Sequence, residues 1–266
     1  MSTFLGSLRR LLLTPNISAT LLDTRGFHKK NPYAQDLLET VGRMFLTGYA
    51  HAAEARTTAD AEIRLEQIPI RFRGFAYEGA AMCFAVRDGL PLGGRNHVEN
   101  FLAGRGNGHI YMVYVGIGWA MARLPQWRWP KADTLDPLLR WLVLDGYGFH
   151  QAYFHTQRYV YEQFQDALFP WPADASGTYA NRAIDQGIGR AMWFVGGADA
   201  ELVADMIEKF PEERRPDLYS GVGLAATYAG GADEGELRAF QHRAGRHRDQ
   251  LAQACAFAAE ARVRAG

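Results

Sequence analysis

The segment 145–150 concentrates side chains that could do chemistry. Its sequence, Asp-Gly-Tyr-Gly-Phe-His, places a carboxylate, a phenol and an imidazole within six residues. On an ideal helix Asp145 and His150 lie about 140° apart around the axis, which is a poor geometry for binding one metal ion. A carboxylate that orients or charges an imidazole is instead typical of acid–base catalysis. We therefore expect Asp145 and His150 to be catalytic.

This segment is one of seven stretches that share a pattern. Each has an apolar anchor three residues before a small residue, here called position 0, with further small residues at +2 and often at +4. The position 0 residues are Gly48, Gly74, Gly116, Gly146, Gly187, Gly221 and Ala254. They are spaced by 26 to 42 residues, which is typical of helix-pair repeats. A glycine inside a helix costs about 1 kcal/mol relative to alanine, so we expect a gain from close helix packing, or from lining a cavity.

Position +4 has two exceptions to an alanine pattern. The seven residues are Ala52, Glu78, Ala120, His150, Ala191, Ala225 and Ala258. An ionisable group on a tightly packed face is desolvated and has a perturbed pKa, as catalytic acids and bases often do. Glu78 and His150 are therefore the predicted acid and base. The alternative is that they form structural contacts, with Arg73 or Asp145 as partners.

The remaining candidates lie in or beside the same copies. Asp185 is a further catalytic candidate that could pair with Arg190, and the alternative is a surface salt bridge. Arg73 or Arg190 could hold a carbonyl or carboxylate oxygen of a substrate. The other expected substrate-binding residues are the aromatic side chains Tyr77, Tyr147, Trp119 and Trp193.

Two further aromatic clusters, Trp127-Arg-Trp129 and Arg158-Tyr-Val-Tyr161, lie outside position 0 to +4. They could stack on a polyaromatic or polyene ligand, or they could cover loops against the core.

Several functional classes are disfavoured. The chain has 29 basic and 29 acidic residues, so a broad electrostatic grip on nucleic acid is not expected. The sequence contains no HExxH motif, and its GxG pairs follow no strand, so we expect neither a metal site nor a nucleotide cofactor. The longest uncharged stretch, 110–122, is shorter than the roughly 20 residues of a membrane span. No signal peptide is recognisable, and we expect a cytoplasmic protein.

The periodicity predicts an all-α fold. Apolar residues recur every three or four positions in segments such as 33–55, whereas a period near two occurs only in 62–72, which could form a short hairpin or arm. We expect irregular helix-pair repeats, in a solenoid or a closed toroid-like bundle with glycine- and alanine-rich inner faces. Residues 1–30 are predicted to be a mobile arm or short helix, and residues 31–266 a single domain.

Four blocks of the sequence resemble a bacterial family called domain of unknown function 1702. They are residues 72–82, 141–150, 185–195 and 217–225, and the resemblance runs from about Arg25 to the end. Members of that family occur beside polyketide synthase genes, notably in enediyne clusters. The resemblance implies a pathway context and supplies no established catalytic residues.

Together these observations favour a cofactor-independent enzyme of secondary metabolism. It would act by cyclisation, isomerisation or hydration on a large, hydrophobic, polyketide-type intermediate. The alternative is a helical scaffold that binds a polyketide synthase or tailoring enzyme, or a carrier that shields a lipophilic intermediate. Formation of a homo-oligomer stays open.

Overall fold

The protein is all-α, which confirms the predicted fold class. The computed structural model describes residues 4–91, 94, 96–171 and 179–266, and no strand occurs among them. The α-helices of this part are α1 (Phe4–Leu13), α2 (Leu22–Arg25), α3 (Pro32–Glu54), α4 (Thr58–Leu65), α5 (Ile70–Gly89), α6 (His97–Ala103), α7 (Ile110–Met121), α8 (Arg140–Phe154), α9 (Tyr179–Val195), α10 (Ala200–Glu208), α11 (Arg215–Ala229), α12 (Glu234–Arg243) and α13 (Arg248–Ala265). The solenoid or toroid arrangement stays a prediction.

The prediction of a hairpin or extended arm at 62–72 is wrong. The hydroxyl of Thr57 accepts a hydrogen bond from the backbone N–H of Asp60, and the Asp60 carboxylate accepts one from the N–H of Thr57. This capping box starts α4, and Pro69 precedes the first turn of α5. The apparent period of two arises because the run contains the end of one helix and the start of the next.

The predicted N-terminal segment 1–30 contains α1, a 3₁₀ turn and α2, and its residues 1–3 lie outside the described residues. Helix α1 is anchored by Arg9, whose guanidinium donates hydrogen bonds of 3.0 Å to the carbonyl oxygens of Ala53 and Ala55.

The chain divides into two compact units. Unit 1 comprises Met1–Leu21, Thr40–Val143 and Arg264–Gly266, and unit 2 comprises Leu22–Glu39 and Leu144–Val263. Compact units of one chain need not fold separately, so the single domain expected over residues 31–266 stays a prediction.

Backbone contact through glycine joins the helices of unit 1. A Cβ atom added to Gly48 of α3 would overlap the carbonyl oxygen of Ala76 in α5, and one added to Gly79 would overlap that of Phe45. Helix α7 also packs against α5, where a Cβ atom on Gly116 would overlap the carbonyl oxygen of Glu78. These glycines are therefore packing positions.

Unit 2 uses the same device. A Cβ atom on Gly148 of α8 would overlap the carbonyl oxygen of Ile184 in α9, and one on Gly187 would overlap that of Asp145. The next helix pair, α9 and α11, has the same two contacts, from Gly189 to Leu218 and from Gly221 to Gln186. Gly223 then contacts Leu251 of α13, whose carbonyl oxygen would lie 3.1 Å from an added Cβ.

The contacts define a common register. The residue at position +2 of one motif helix contacts the residue at position −3 of the following motif helix, as Gly148 contacts Ile184. The residue at position 0 of the following helix contacts the residue at position −1 of the first, as Gly187 contacts Asp145. Unit 2 follows this rule with the position 0 residues taken from the sequence. Unit 1 follows it only if position 0 is Leu46 in α3 and Gly79 in α5, so Gly48 and Gly74 are wrong as position 0. The corrected spacings are 33, 37, 30, 41, 34 and 33 residues.

The corrected register moves Glu78 from position +4 to position −1, where Asp145 stands in α8. Position +4 of α5 is then Cys83. Among the seven motif copies, His150 is therefore the one residue at position +4 that carries an imidazole or carboxyl group. The premise that Glu78 and His150 are equivalent exceptions on one helix face is therefore wrong, because the contact of Gly79 with the backbone of α3 makes Gly79 position 0 of α5.

Candidate active site

A cleft of about 390 Å³ opens in unit 2 beside α8, the π-helical turn Gln157–Tyr161 and the start of α9. We call it the polar cleft. Its lining residues are Tyr147, Gln151, His155, Arg158, Tyr159, Phe164, Gln165, Asp166, Phe169, Asn181, Ile184 and Asp185. The volume falls in the range of small-molecule sites, and aromatic and polar groups share the wall. Two sequence-predicted site residues, Tyr147 and Asp185, therefore meet here.

Asp185 is the buried carboxylate of the polar cleft, with 2% of its surface exposed. Arg214 binds it with two hydrogen bonds, from Nε to Oδ2 at 2.9 Å and from Nη2 to Oδ1 at 2.6 Å. The amide of Gln165 donates a longer one, 3.4 Å, to Oδ2. Burial raises the pKa of the Asp185 carboxyl above its usual 3.8, although the hydrogen bonds and charge of Arg214 oppose this.

Arg214 also shapes the chain around the cleft. It precedes α11, and its Nη1 atom donates a 2.6 Å hydrogen bond to the carbonyl oxygen of Gln163. Gln163 has a φ angle of +57°, in the left-handed region that side chains other than glycine rarely adopt. The guanidinium of Arg158 packs 3.7 Å from the ring centre of Phe164. Arg214 thus links the loop after α8 to the carboxylate of α9.

Two phenols, those of Tyr147 and Tyr159, line the polar cleft and can form hydrogen bonds. The side chains of Tyr147 and Tyr159 share a hydrogen bond, and burial followed by the proximity of Tyr147 raises the pKa of Tyr159. The ring of Phe169 lies 5.1 Å from that of Tyr147. Neutral phenols can donate hydrogen bonds to a substrate oxygen, and the rings offer an apolar surface to its carbon skeleton.

Asp145 and Arg190 belong to a buried polar seam rather than to the lining of the polar cleft. Asp145 Oδ1 forms an ion pair with Arg190, and Oδ2 accepts a 2.8 Å hydrogen bond from the amide of Gln186. The hydroxyl of Ser220 in turn donates to Gln186 Oε1 at 3.2 Å. Asp145, Gln186 and Ser220 occupy position −1 of the motif helices α8, α9 and α11, respectively. The pairing of Asp185 with Arg190 expected from their spacing is wrong, because Asp185 pairs with Arg214 and Arg190 pairs with Asp145.

Two predicted residues of unit 1 join α4 to α5. Arg73 places Nη1 3.0 Å from Glu66 Oε2, and its Nη2 donates to the Glu66 carbonyl oxygen at 2.8 Å. The Tyr77 hydroxyl donates to Glu66 Oε1 at 2.7 Å, while its ring stacks 4.0 Å from that of His109. Burial, then the hydrogen bond to Glu66, raises the pKa of Tyr77.

The other candidates are distributed over both units. Glu78 is buried in unit 1 and His150 in unit 2, where its ring lies 4.7 Å from that of Phe154. Trp119 packs 4.5 Å from Phe45, and Trp193 donates a 2.9 Å hydrogen bond to the carbonyl oxygen of Gly230. The catalytic and substrate-binding roles of these residues stay predictions.

Sequence reasoning missed most of the lining of the polar cleft, including Gln165, and it missed Arg214, which supports Asp185. Arg214 lies 29 positions from Asp185 and in no shared motif, so the sequence offers no signal for that pair. The aromatic cluster 158–161 did offer a signal for Tyr159.

No group of three or more His, Cys, Asp or Glu side chains that could hold a metal ion occurs among the described residues. None of the helices described is both long and apolar enough to cross a membrane.

The family comparison agrees with the resemblance in the sequence. The model of a family described as "protein of unknown function (DUF1702)" matches residues 4–266, which is nearly the whole chain. The chain therefore belongs to this family. Searches of curated proteins and of solved structures found no significant match.

Proposed function

We propose that the protein is a cofactor-independent acid–base enzyme that moves a double bond in an unsaturated carbonyl compound bound in the polar cleft. The observation that carries the proposal is the buried carboxyl group of Asp185, whose pKa is raised, in the wall of a cleft of small-molecule size. A carboxyl group whose pKa lies closer to neutrality is better suited to accept and return a proton.

In this reaction Asp185 removes a proton from a carbon next to the carbonyl group and returns it to another carbon of the same conjugated system. The double bond moves, the proton is conserved and no second reactant is consumed. Tyr147 donates a hydrogen bond to the carbonyl oxygen while negative charge develops there. Arg214 positions the carboxylate, and Phe169 contacts the apolar skeleton. Cyclisation or hydration would need the same acid–base group.

The pathway context belongs to the same proposal. Residues 72–82 and 185–195 resemble a family found beside polyketide synthase genes, which supports a cytoplasmic enzyme of secondary metabolism that acts on a polyketide-type, enediyne-like intermediate. A polyketide synthase or tailoring enzyme is then the expected partner. The second candidate, a carrier or scaffold, uses binding without proton transfer.

The test uses β,γ-unsaturated ketones of increasing chain length as probes in D₂O. Conversion to the conjugated ketone is followed by ultraviolet absorbance, and deuterium uptake at carbon by mass spectrometry. We expect the full-length protein to catalyse both, and Asp185→Asn to abolish both. Asp249→Asn is the matched control. Asp249 is exposed on α13, so this substitution makes the same chemical change outside the polar cleft.

Thermal melting of each variant separates a loss of chemistry from a loss of fold. If Asp185→Asn does not fold, Asp185→Glu keeps the carboxyl group and should slow conversion, because the carboxyl moves by one methylene. Probe binding without conversion by the full-length protein would favour the carrier. Equal rates for the full-length protein and Asp185→Asn would contradict the assigned role of Asp185.

A further inference from the structure

Unit 1 contains a larger opening that the proposed reaction does not use. It has a volume of about 690 Å³, and we call it the aromatic cavity. Its lining residues are Ala85, Asp88, Gly89, Asn96, Val98, Glu99, Leu102, Tyr114, Ile117, Ala120, Met121, Leu124, Trp127, Arg128, Trp129, Pro130, Thr134 and Leu135. Apolar and aromatic side chains predominate, which is typical of a site for a small organic molecule.

The aromatic wall is held in place by hydrogen bonds. The indole N–H of Trp129 donates to the carbonyl oxygen of Leu124 at 3.1 Å, and the Tyr114 hydroxyl accepts from the backbone N–H of Asp136 at 3.0 Å. Trp127 is different, since 74% of its surface is exposed. An exposed indole at the edge of an apolar cavity favours a ligand with a flat, unsaturated face.

Arg128 supplies the charge of this wall. Its guanidinium carbon lies 4.3 Å from the ring centre of Trp127, which fixes the side chain against the indole. The buried Nε atom has no hydrogen-bond acceptor, and the side chain forms no ion pair with any residue in the described ranges. Because a guanidinium binds carboxylates through two parallel hydrogen bonds, Arg128 is suited to an anionic ligand group.

Two carboxylates also line the aromatic cavity, but neither neutralises Arg128. Asp88 accepts hydrogen bonds of 3.0 Å from the backbone N–H groups of His97 and Val98, and its Oδ1 atom lies 2.6 Å from His97 Nδ1. Those donors compensate its charge locally. Glu99 is exposed on the first turn of α6, where solvent screens it.

We propose that the aromatic cavity is a second ligand site, specific for a flat, apolar carboxylic acid whose carboxylate pairs with Arg128. The unsaturated part of the ligand would lie along Trp127 and Trp129, and its apolar end would reach Leu124 and Leu135. This inference does not depend on the reaction proposed for the polar cleft, because the two openings lie in different units and are formed by different residues.

Three fluorescent probes with one chromophore test the charge preference. They are diphenylhexatriene, its propionic acid derivative and its trimethylammonium derivative, each titrated into the full-length protein at fixed ionic strength. We expect the acid to bind about tenfold more tightly than the ammonium compound. Arg128→Met should remove that preference while keeping measurable binding of the neutral probe. Arg56→Met is the matched control, because Arg56 is exposed in unit 1 and does not line the cavity.

A second variant keeps the test decisive. Leu124→Trp adds volume at a half-buried position of the lining and should weaken binding of all three probes, with folding checked by thermal melting. Equal affinities of the full-length protein for the anionic and cationic probes would overturn the proposal. Arg128→Met with an unchanged preference for the acid, or Leu124→Trp with unchanged affinities, would overturn it as well.

Discussion

The aromatic cavity and the polar cleft lie at equivalent places in the helix register, yet they offer different chemistry. Each opening borders positions +1 and +5 of one motif copy. In α7 these positions are Ile117 and Met121, whereas in α8 they are Tyr147 and Gln151. The side chains beside the glycines thus decide whether the wall of each opening is mainly apolar or mainly polar.

The buried positions differ in the same way. In unit 2, position −1 of α8 is Asp145 and position +3 of α9 is Arg190, and these two form an ion pair. The corresponding positions in unit 1 are Glu78 in α5 and Trp119 in α7. A cation accompanies the buried carboxylate at this position in unit 2, and an indole takes the place of that cation in unit 1.

The largest expected effect comes from removing that cation. Arg190→Met should lower the free energy of unfolding by about 3–5 kcal/mol, because Asp145 would remain buried without its counter-charge. The measurement is chemical denaturation monitored by circular dichroism. The double variant Asp145→Asn with Arg190→Met should recover part of the loss. Additive losses in the double variant would show that the pair is not coupled.

Adding one methyl group at a position 0 glycine tests whether the shared register depends on close backbone packing. Gly187→Ala should lower the free energy of unfolding by about 3 kcal/mol, because the added Cβ overlaps the Asp145 carbonyl oxygen and lies 2.7 Å from the Phe149 nitrogen. Gly235→Ala is the control, since this glycine is exposed in α12 and a Cβ atom added to it would lie 3.3 Å from the Asp233 side chain. If both variants unfold at the same denaturant concentration, close backbone packing is not what requires Gly187.

The chemical difference between the openings is tested at position +1. Tyr147→Phe should slow ketone conversion by about 100-fold while changing stability little, because it removes the one hydroxyl that is proposed to donate to the developing oxyanion. Steady-state kinetics should show the loss in kcat rather than in KM. Ile117→Val in the aromatic cavity is the counterpart control and should leave the conversion rate unchanged. A loss confined to KM would mean that the Tyr147 hydroxyl binds the substrate without stabilising the transition state.

The sequence was sufficient to predict the all-α class and the packing role of most motif glycines, because small residues at a regular helical spacing have a local cause. It could not assign the register of α5, since Gly74 and Gly79 both precede small residues and only the neighbouring backbone distinguishes them. The sequence also could not predict which residues form ion pairs with Asp185 and Arg190. Their ion pairs join residues 29 and 45 positions apart, and nothing local in the sequence selects one arginine over another.

The most direct test of the account is the titration of the Asp185 carboxyl group. Carboxyl ¹³C chemical shifts of aspartate-labelled protein, assigned with Asp185→Asn, give its pKa as the pH rises. We predict a pKa above the usual 3.8, because burial outweighs the charge and hydrogen bonds of Arg214. The same carboxyl should therefore favour folding at low pH and lose that contribution as the pH rises through its pKa in the folded state. A pKa below 3.8 would show that Asp185 is a permanently ionised partner of Arg214, and it would contradict the role of proton carrier proposed for it.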